Sequence, residues 1–212
     1  VYTPPVKVMM FVLNHVVATD RLAAVQSGVL DGDMIEAVLT EAGRLAADVL
    51  APLNDSGDRE GCILHDDGTV TTPKGFKESY AQFIKNGWNA VPFDPAYGGQ
   101  GLPWVLTFAL QEMWQSANMA FGLCPLLTQA GVEALHEYGT PAQKETYLAR
   151  MISGEWTGSM QLTEPQAGTD LGALRCSAEK QADGSYKLRG QKIFITYGEH
   201  DFSENIVRRV RA

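Results

Sequence analysis

Between Met160 and Asp170 the chain reads M-Q-L-T-E-P-Q-A-G-T-D, and between Gln191 and Gly198 it reads Q-K-I-F-I-T-Y-G. Alternation over Ser159-Met160-Gln161-Leu162 predicts a short strand that breaks at Thr163-Glu164-Pro165. Pro165 fixes its own φ and biases Glu164 toward extended backbone, which stiffens the loop. The loop closes on the small step Ala167-Gly168-Thr169-Asp170, where Gly168 lets backbone approach a flat ligand with no Cβ in the way. Thr163, Thr169 and Thr196 carry hydroxyls that both donate and accept hydrogen bonds. Such a loop, facing a strand that ends in Phe194-Ile195-Thr196, could hold a planar heteroaromatic ring. The same residues also make a tight turn beside a β-hairpin, and spacing does not separate the two readings.

Other chemistries have less support. A G-x-S-x-G nucleophile elbow is absent, and no Cys/His pairing can be read. Gly98-Gly99-Gln100-Gly101 is not G-x-G-x-x-G and has no apolar strand leading into it, so neither a dinucleotide fingerprint nor a P-loop is implied. His15, His65, His136 and His200 lack the spacing of a zinc site, and each reads as a surface or satisfied interior histidine; no metal is expected. Cys62, Cys124 and Cys176 are odd in number and far apart, which argues against a disulfide framework and for a reducing cytosol. Seventeen Lys and Arg stand against 25 Asp and Glu, a net charge of −8. No Lys/Arg cluster is interleaved with aromatics, so no nucleic-acid footprint is in evidence. The apolar run Val8–Leu13, continued by Val16-Val17-Ala18, is interrupted by Asn14 and His15 and is too short to span a bilayer. It reads as an amphipathic segment docked on the protein body.

The elements that must position the two runs follow from periodicity. Apolar residues at 34, 35, 38, 42, 45, 46 and 49 predict a helix from Asp33, its N-cap, to Leu50, with Pro52 marking the end. Asn54 to Thr72 reads as a long connection with one hairpin at Asp67-Gly68. Thr72-Pro73 predicts an N-cap and first turn for a helix striped by Phe76, Tyr80, Phe83 and Ile84 and stopped at Gly87. A loop spans Trp88 to Pro103. One helix then runs to about Phe121, a second opens at Pro125 and ends near Gly139, and Thr140-Pro141-Ala142-Gln143 starts a third with a capping box. Trp104, Phe108 and Met113 are expected among the helix-packing residues. After Gly154 the period drops to two, over 158–162, 174–180 and 186–195, with a hairpin turn at Asp183-Gly184. Residues 1–30 are thus expected as an N-terminal extension, 31–155 as a helical domain and 156–212 as an incomplete β domain. The fold class is α+β: an α-helical bundle followed by the start of an antiparallel β domain.

The two runs resemble the flavin-contacting signatures of the acyl-CoA dehydrogenases, T-E-P-x-A-G-[ST]-D and [WF]-I-T-x-G. Pro92 to Pro103 resembles that family's P-x-x-x-G-G-x-G loop. Tyr2-Thr3-Pro4-Pro5 with Phe11-Val12-Leu13 resembles an N-terminally extended subgroup that includes the 3-methylmercaptopropionyl-CoA dehydrogenases. The resemblance implies FAD-dependent α,β-dehydrogenation of an acyl-CoA thioester, in which a glutamate base removes the α-proton and the flavin accepts the β-hydride. It implies that Leu162 and Thr163 bond the pyrimidine side of the ring, Thr196 approaches its N5 and Phe194 packs on it. Met160, Gly168 and Ile195 complete the implied flavin contacts, and Thr169 would lie near the CoA chain. An acyl-CoA substrate, an electron-transfer flavoprotein partner, a homo-oligomer and a cytoplasmic location are implied with them. Phe194 replaces the Trp of much of the family, which keeps an aromatic face but loses the indole N–H. The family's base should lie in a second helical domain outside residues 1–212; Glu112, Glu133 and Glu164 have no motif match to it. The expectation is therefore a piece of such a dehydrogenase, inactive by itself. The alternative is a truncated, non-catalytic relative acting as a binding module, which would be colourless where the first would be flavin-yellow. An acyl-CoA oxidase-type relative, told apart by oxygen consumption, is the third reading.

Overall fold

The structure, a computed structural model, describes residues 2–17 and 32–210. Part of the expected N-terminal extension and its junction with the first bundle helix lie outside those residues. Helix α1 (Val6–Phe11) runs on through a wider π turn (Val12–Val17) and buries Met9 and Leu13 against the bundle. The segment is docked as the sequence implied, but its outer face is apolar as well, with Val8, Phe11 and Val16 exposed; Ala18 lies outside the described residues.

Helix α2 (Gly32–Arg44) continues through a π stretch (Leu45–Leu50) into α3 (Ala51–Glu60). Pro52 was expected to end this helix. It sits instead at the start of α3, directly after the π stretch, and the helical backbone runs on through it. The hairpin forms as β1 (Ile63–Leu64) and β2 (Val70–Thr71), antiparallel, with the Asp67 carboxylate accepting from the Thr69 N–H at 2.9 Å. Helix α4 (Phe76–Lys85) begins three residues later than the Thr72 cap predicted, because Gly75, at φ 90°, takes the cap position. Thr72 is committed elsewhere: its hydroxyl donates to Asp201 at 2.6 Å.

Helix α5 (Trp104–Tyr138) merges the two helices expected on either side of Phe121–Pro125. Its break lies at Asn118, whose backbone leaves the helical region and whose side chain accepts from the Phe121 N–H at 3.0 Å, as an N-cap does. Pro125 lies within the second half and starts nothing. Helix α6 (Pro141–Ser153) carries the predicted capping box between Thr140 and Gln143. Leu39, Leu50, Tyr80, Phe83, Leu110, Met113, Trp114 and Phe121 form the core. Phe83 and Trp114 meet edge-on at 4.8 Å between ring centres, the arrangement that ring quadrupoles favour. Phe108 is 61% exposed and so does not pack as expected; Trp104 is half-buried and Met113 fully buried.

The strands form three two-stranded pairs among the described residues. Strands β4 (Ser177–Lys180) and β5 (Tyr186–Arg189) make the antiparallel hairpin announced by Asp183-Gly184. Strand β3 (Trp156–Gln161) pairs with β6 (Asn205–Val210) in parallel, so the β portion is mixed and not purely antiparallel. Residues 191–196, expected to continue a strand, belong to no ladder. Strand β3 lies directly on α5. The Gly158 N–H donates to the Thr128 hydroxyl at 3.0 Å, and a Cβ on Gly158 would meet Met151 Cε at 3.0 Å and Thr128 Cα at 3.3 Å. Phe202, from beyond the hairpin, inserts into the helical core and stacks on Tyr80 at 5.1 Å. The α and β portions therefore share one core.

Candidate functional site

Strand β3 carries the first run outward from the helices to Gln161, where its ladder ends and the chain turns at Thr163-Glu164-Pro165. Glu164 and Ala167 then exchange two backbone hydrogen bonds of 3.0 Å, a tight turn around Pro165. The second run comes back alongside: the Ile193 N–H donates to the Thr163 carbonyl at 2.9 Å, and Lys192 Nζ donates to the Leu162 carbonyl at 3.0 Å. The two segments singled out in the sequence are thus brought together.

Glu164 is the hub between them. Only 3% exposed, its carboxylate accepts from Lys192 Nζ at 2.8 Å, Gln166 Nε2 at 2.6 Å, the Arg175 N–H at 2.7 Å and the Cys176 N–H at 3.0 Å. The Lys192 ammonium, followed by the two backbone N–H groups and Cys176, holds the Glu164 carboxyl far below the usual carboxylate range. The Cys176 thiol is pushed up by the same carboxylate. A carboxylate so saturated with donors is fixed as an anion and is badly placed to take a proton.

The remaining residues lie on the open side. Phe194 and Tyr197 hold φ at 56° and 51°, a region that bulky L-residues rarely enter. Phe194 nevertheless leaves its ring 87% exposed, and Met160 in the first run is half exposed. Strained backbone that presents an apolar ring to solvent needs another reason to persist, and such outliers cluster at ligand clamps. Tyr197 is held in place by its hydroxyl, which donates to the Ala120 carbonyl at 2.6 Å. Leu162, Thr163 and Ile195 are half-buried; Gly168, Thr169 and Thr196 are exposed. Nothing in the chain lies within 4 Å of a Cβ built on Gly168, so the loop is open on that side. Asp170 accepts from the Gly172 N–H at 3.0 Å and anchors the loop's far end. Thr196 does not close a strand, as the sequence suggested, because the left-handed Phe194 turns the backbone away from any ladder.

Behind the site His200 is buried and hydrogen-bonded to Thr157 at 3.0 Å, an interior histidine with its partners satisfied. Sequence reasoning missed Lys192. It lies inside the second run, between Gln191 and Ile193, where nothing local marks it for burial. Among the described residues, no group of three His, Cys, Asp or Glu is placed to hold a metal ion. No described helix is long and apolar enough to cross a membrane.

Residues 33–155 match the family model described as "Acyl-CoA dehydrogenase, N-terminal domain". The chain belongs to the acyl-CoA dehydrogenase family. It is 46% identical over 212 residues to the 3-methylmercaptopropionyl-CoA dehydrogenase of Ruegeria pomeroyi, an alignment covering 100% of this chain and 36% of that protein. The chain thus spans about a third of the length of that curated relative. Among solved structures it is similar to the butyryl-CoA dehydrogenase of Megasphaera elsdenii, with 27% identity and a TM-score of 0.66 over 81% of this chain and 42% of the other. A structure titled for the electron transferring flavoprotein of Acidaminococcus fermentans also matches, with 27% identity and a TM-score of 0.66 over 80% and 41%.

Proposed function

We propose that this chain supplies part of the flavin and thioester site of an FAD-dependent acyl-CoA dehydrogenase acting in the cytoplasm. The observation that carries this reading is Phe194: an aromatic ring, exposed on a strained backbone, beside a loop whose Gly168 side is open. The residues present suit a flat ring with an apolar face and a polar edge. Phe194, Met160 and Ile195 would offer apolar contact, Leu162 and Thr163 would hydrogen-bond the pyrimidine side, and the Thr196 hydroxyl would serve the redox-active edge. Gly168 leaves the approach open, and Thr169 would contact the CoA moiety. FAD, when bound, supplies the hydride acceptor for α,β-dehydrogenation. This chain's contribution is orientation: the reaction needs ring and thioester held face to face. This reading assigns no proton-abstracting base among residues 1–212. The Acidaminococcus similarity supports an electron-transferring flavoprotein as redox partner, and the family resemblance supports a homo-oligomer.

Titration of FAD with the 212-residue chain, read by quenching of flavin fluorescence, tests the reading. The chain is expected to quench and retain flavin, and Phe194→Ala to weaken retention by about tenfold, since loss of an aromatic contact worth roughly 1–1.5 kcal/mol has that effect. Equal retention by the Ala variant would remove Phe194 from the site. A chain that neither quenches nor retains flavin would overturn the assignment of a flavin site to these residues.

A further inference from the structure

Two segments 28 residues apart in sequence, Glu164 and Lys192, meet through a buried ion pair at 2.8 Å with side chains 2% and 9% exposed. Five further ion pairs among the described residues lie at the surface, with side chains 42–78% exposed. A buried pair is an expensive way to add stability, because desolvating both charges offsets most of their attraction. Its distinctive product is geometric: each remaining lone pair and proton must find a partner, so the surroundings are over-determined. That is what surrounds Glu164. One carboxylate oxygen takes the Cys176 N–H and Lys192 Nζ; the other takes the Arg175 N–H and Gln166 Nε2. Lys192 uses a second proton on the Leu162 carbonyl at 3.0 Å, and its neighbour Ile193 donates to the Thr163 carbonyl at 2.9 Å. The pair therefore ties three stretches of chain together: the strand exit at 162–164, the entry to β4 at 175–176, and the run leading to Phe194.

We infer that the buried Glu164–Lys192 ion pair is a positioning device that fixes the spacing between the Leu162-Thr163 and Phe194-Thr196 segments for the flavin. The inference rests on the flavin site proposed above and extends it to two residues that do not touch the ring. Lys192 sets where the Leu162 carbonyl points, and through Ile193 it holds the segment that must carry Phe194 in its left-handed conformation. Glu164 holds Lys192 in turn, and pins the far end of the 165–174 loop by two backbone N–H groups. Removing the ammonium leaves a carboxylate and a carbonyl without their cationic donor. The loop and the Phe194 run then separate, while the helical core, to which the pair makes none of these hydrogen bonds, stays in place.

Lys192→Met keeps most of the stem and removes the charge; Lys192→Arg keeps the charge. Both are compared with the unsubstituted chain by amide hydrogen exchange and by FAD titration. Lys192→Met is expected to speed exchange at Ile193, Arg175 and Cys176 by at least about tenfold while amides of Leu110 to Trp114 are unchanged. It is also expected to weaken flavin binding by about tenfold and to change the shape of the bound flavin's absorption band, as a ring in a looser, wetter site would show. Lys192→Arg is expected to restore most of both. Faster exchange throughout the core in Lys192→Met would mark the pair as an ordinary stability element and overturn the inference. Local loosening with unchanged flavin affinity and spectrum would overturn it too, by showing that the spacing does not matter to the ring. Failure of the unsubstituted chain to bind flavin at all is a different result: it refutes the proposed site, and the positioning role with it.

Discussion

Acid should destabilise this fold through His200, and the hydrogen-bond directions show why. The Phe202 N–H donates to His200 Nδ1 at 3.1 Å, so Nδ1 must carry its lone pair there. The proton is then on Nε2, which donates to the Thr157 hydroxyl at 3.0 Å. Thr157 is left to donate to Ser203 Oγ at 3.0 Å, and Ser203 to the Asn205 carbonyl at 2.9 Å. Each link then has one workable direction, and the Phe202 link requires the neutral imidazole because Nδ1 must keep its lone pair. A second proton, on Nδ1, would set donor against donor at Phe202, whose ring is part of the core. Burial is the main reason the imidazolium is disfavoured, and Arg208 adds to it; Glu199 and Asp201 act the other way. The net result lowers the pKa from 6.5 to about 4.

Because the folded value lies below the unfolded one, the unfolded chain binds more protons between them. The stabilisation is present in full above 6.5 and is lost as pH falls from there through about 4. A shift of this size, at about 1.4 kcal/mol per unit, corresponds to about 3 kcal/mol in total, of which roughly 2 kcal/mol disappears between about pH 7 and about pH 5. His200 is only 5% exposed, so solvent screening does not erode the figure greatly. Urea unfolding of the chain, followed by tryptophan fluorescence across that range, measures the loss. His200→Gln keeps one donor and one acceptor without a titrating ring, and the difference between the two chains isolates the His200 contribution. A difference in slope below about 0.5 kcal/mol over the interval, or an imidazole that titrates near 6.5 by NMR, would refute the reasoning.

Two further outcomes are expected. Asn89, 1% exposed, donates from Nδ2 to the Met151 and Ile152 carbonyls at 2.8 and 3.0 Å, closing the end of α6. Asn89→Ala should cost about 2–4 kcal/mol, since two buried carbonyls lose their donor; a loss under about 0.5 kcal/mol in urea unfolding would show that water replaces the amide. In a full-length protein containing this chain, Thr196→Val should slow flavin reduction by roughly tenfold, the equivalent of a hydrogen bond of about 1–2 kcal/mol made in the transition state. Because Thr196 is exposed, the melting temperature should barely move; an unchanged rate of flavin bleaching in stopped flow would remove the hydroxyl from the chemistry.

What the sequence by itself determined is what short-range chemistry decides. The Thr140–Gln143 capping box, the Asp67-Gly68 and Asp183-Gly184 hairpins and the stop of α4 at Gly87 each depend on residues within a few positions of one another. The motif runs around Thr163 and Thr196 were legible too, because they are contiguous. Local rules failed where distant residues outbid them. Thr72 looked like an N-cap, but Asp201 claims its hydroxyl across 129 positions. Pro125 looked like a helix start, yet the break fell at Asn118, which reaches the Leu50 carbonyl at 3.2 Å and caps the next turn itself. Phe194 looked like a strand residue, and only the folded chain shows its left-handed backbone and exposed ring. The Glu164–Lys192 pair belongs wholly to tertiary structure. Neither residue has a local reason to be buried, and each is tolerable inside only because the fold delivers the other to it.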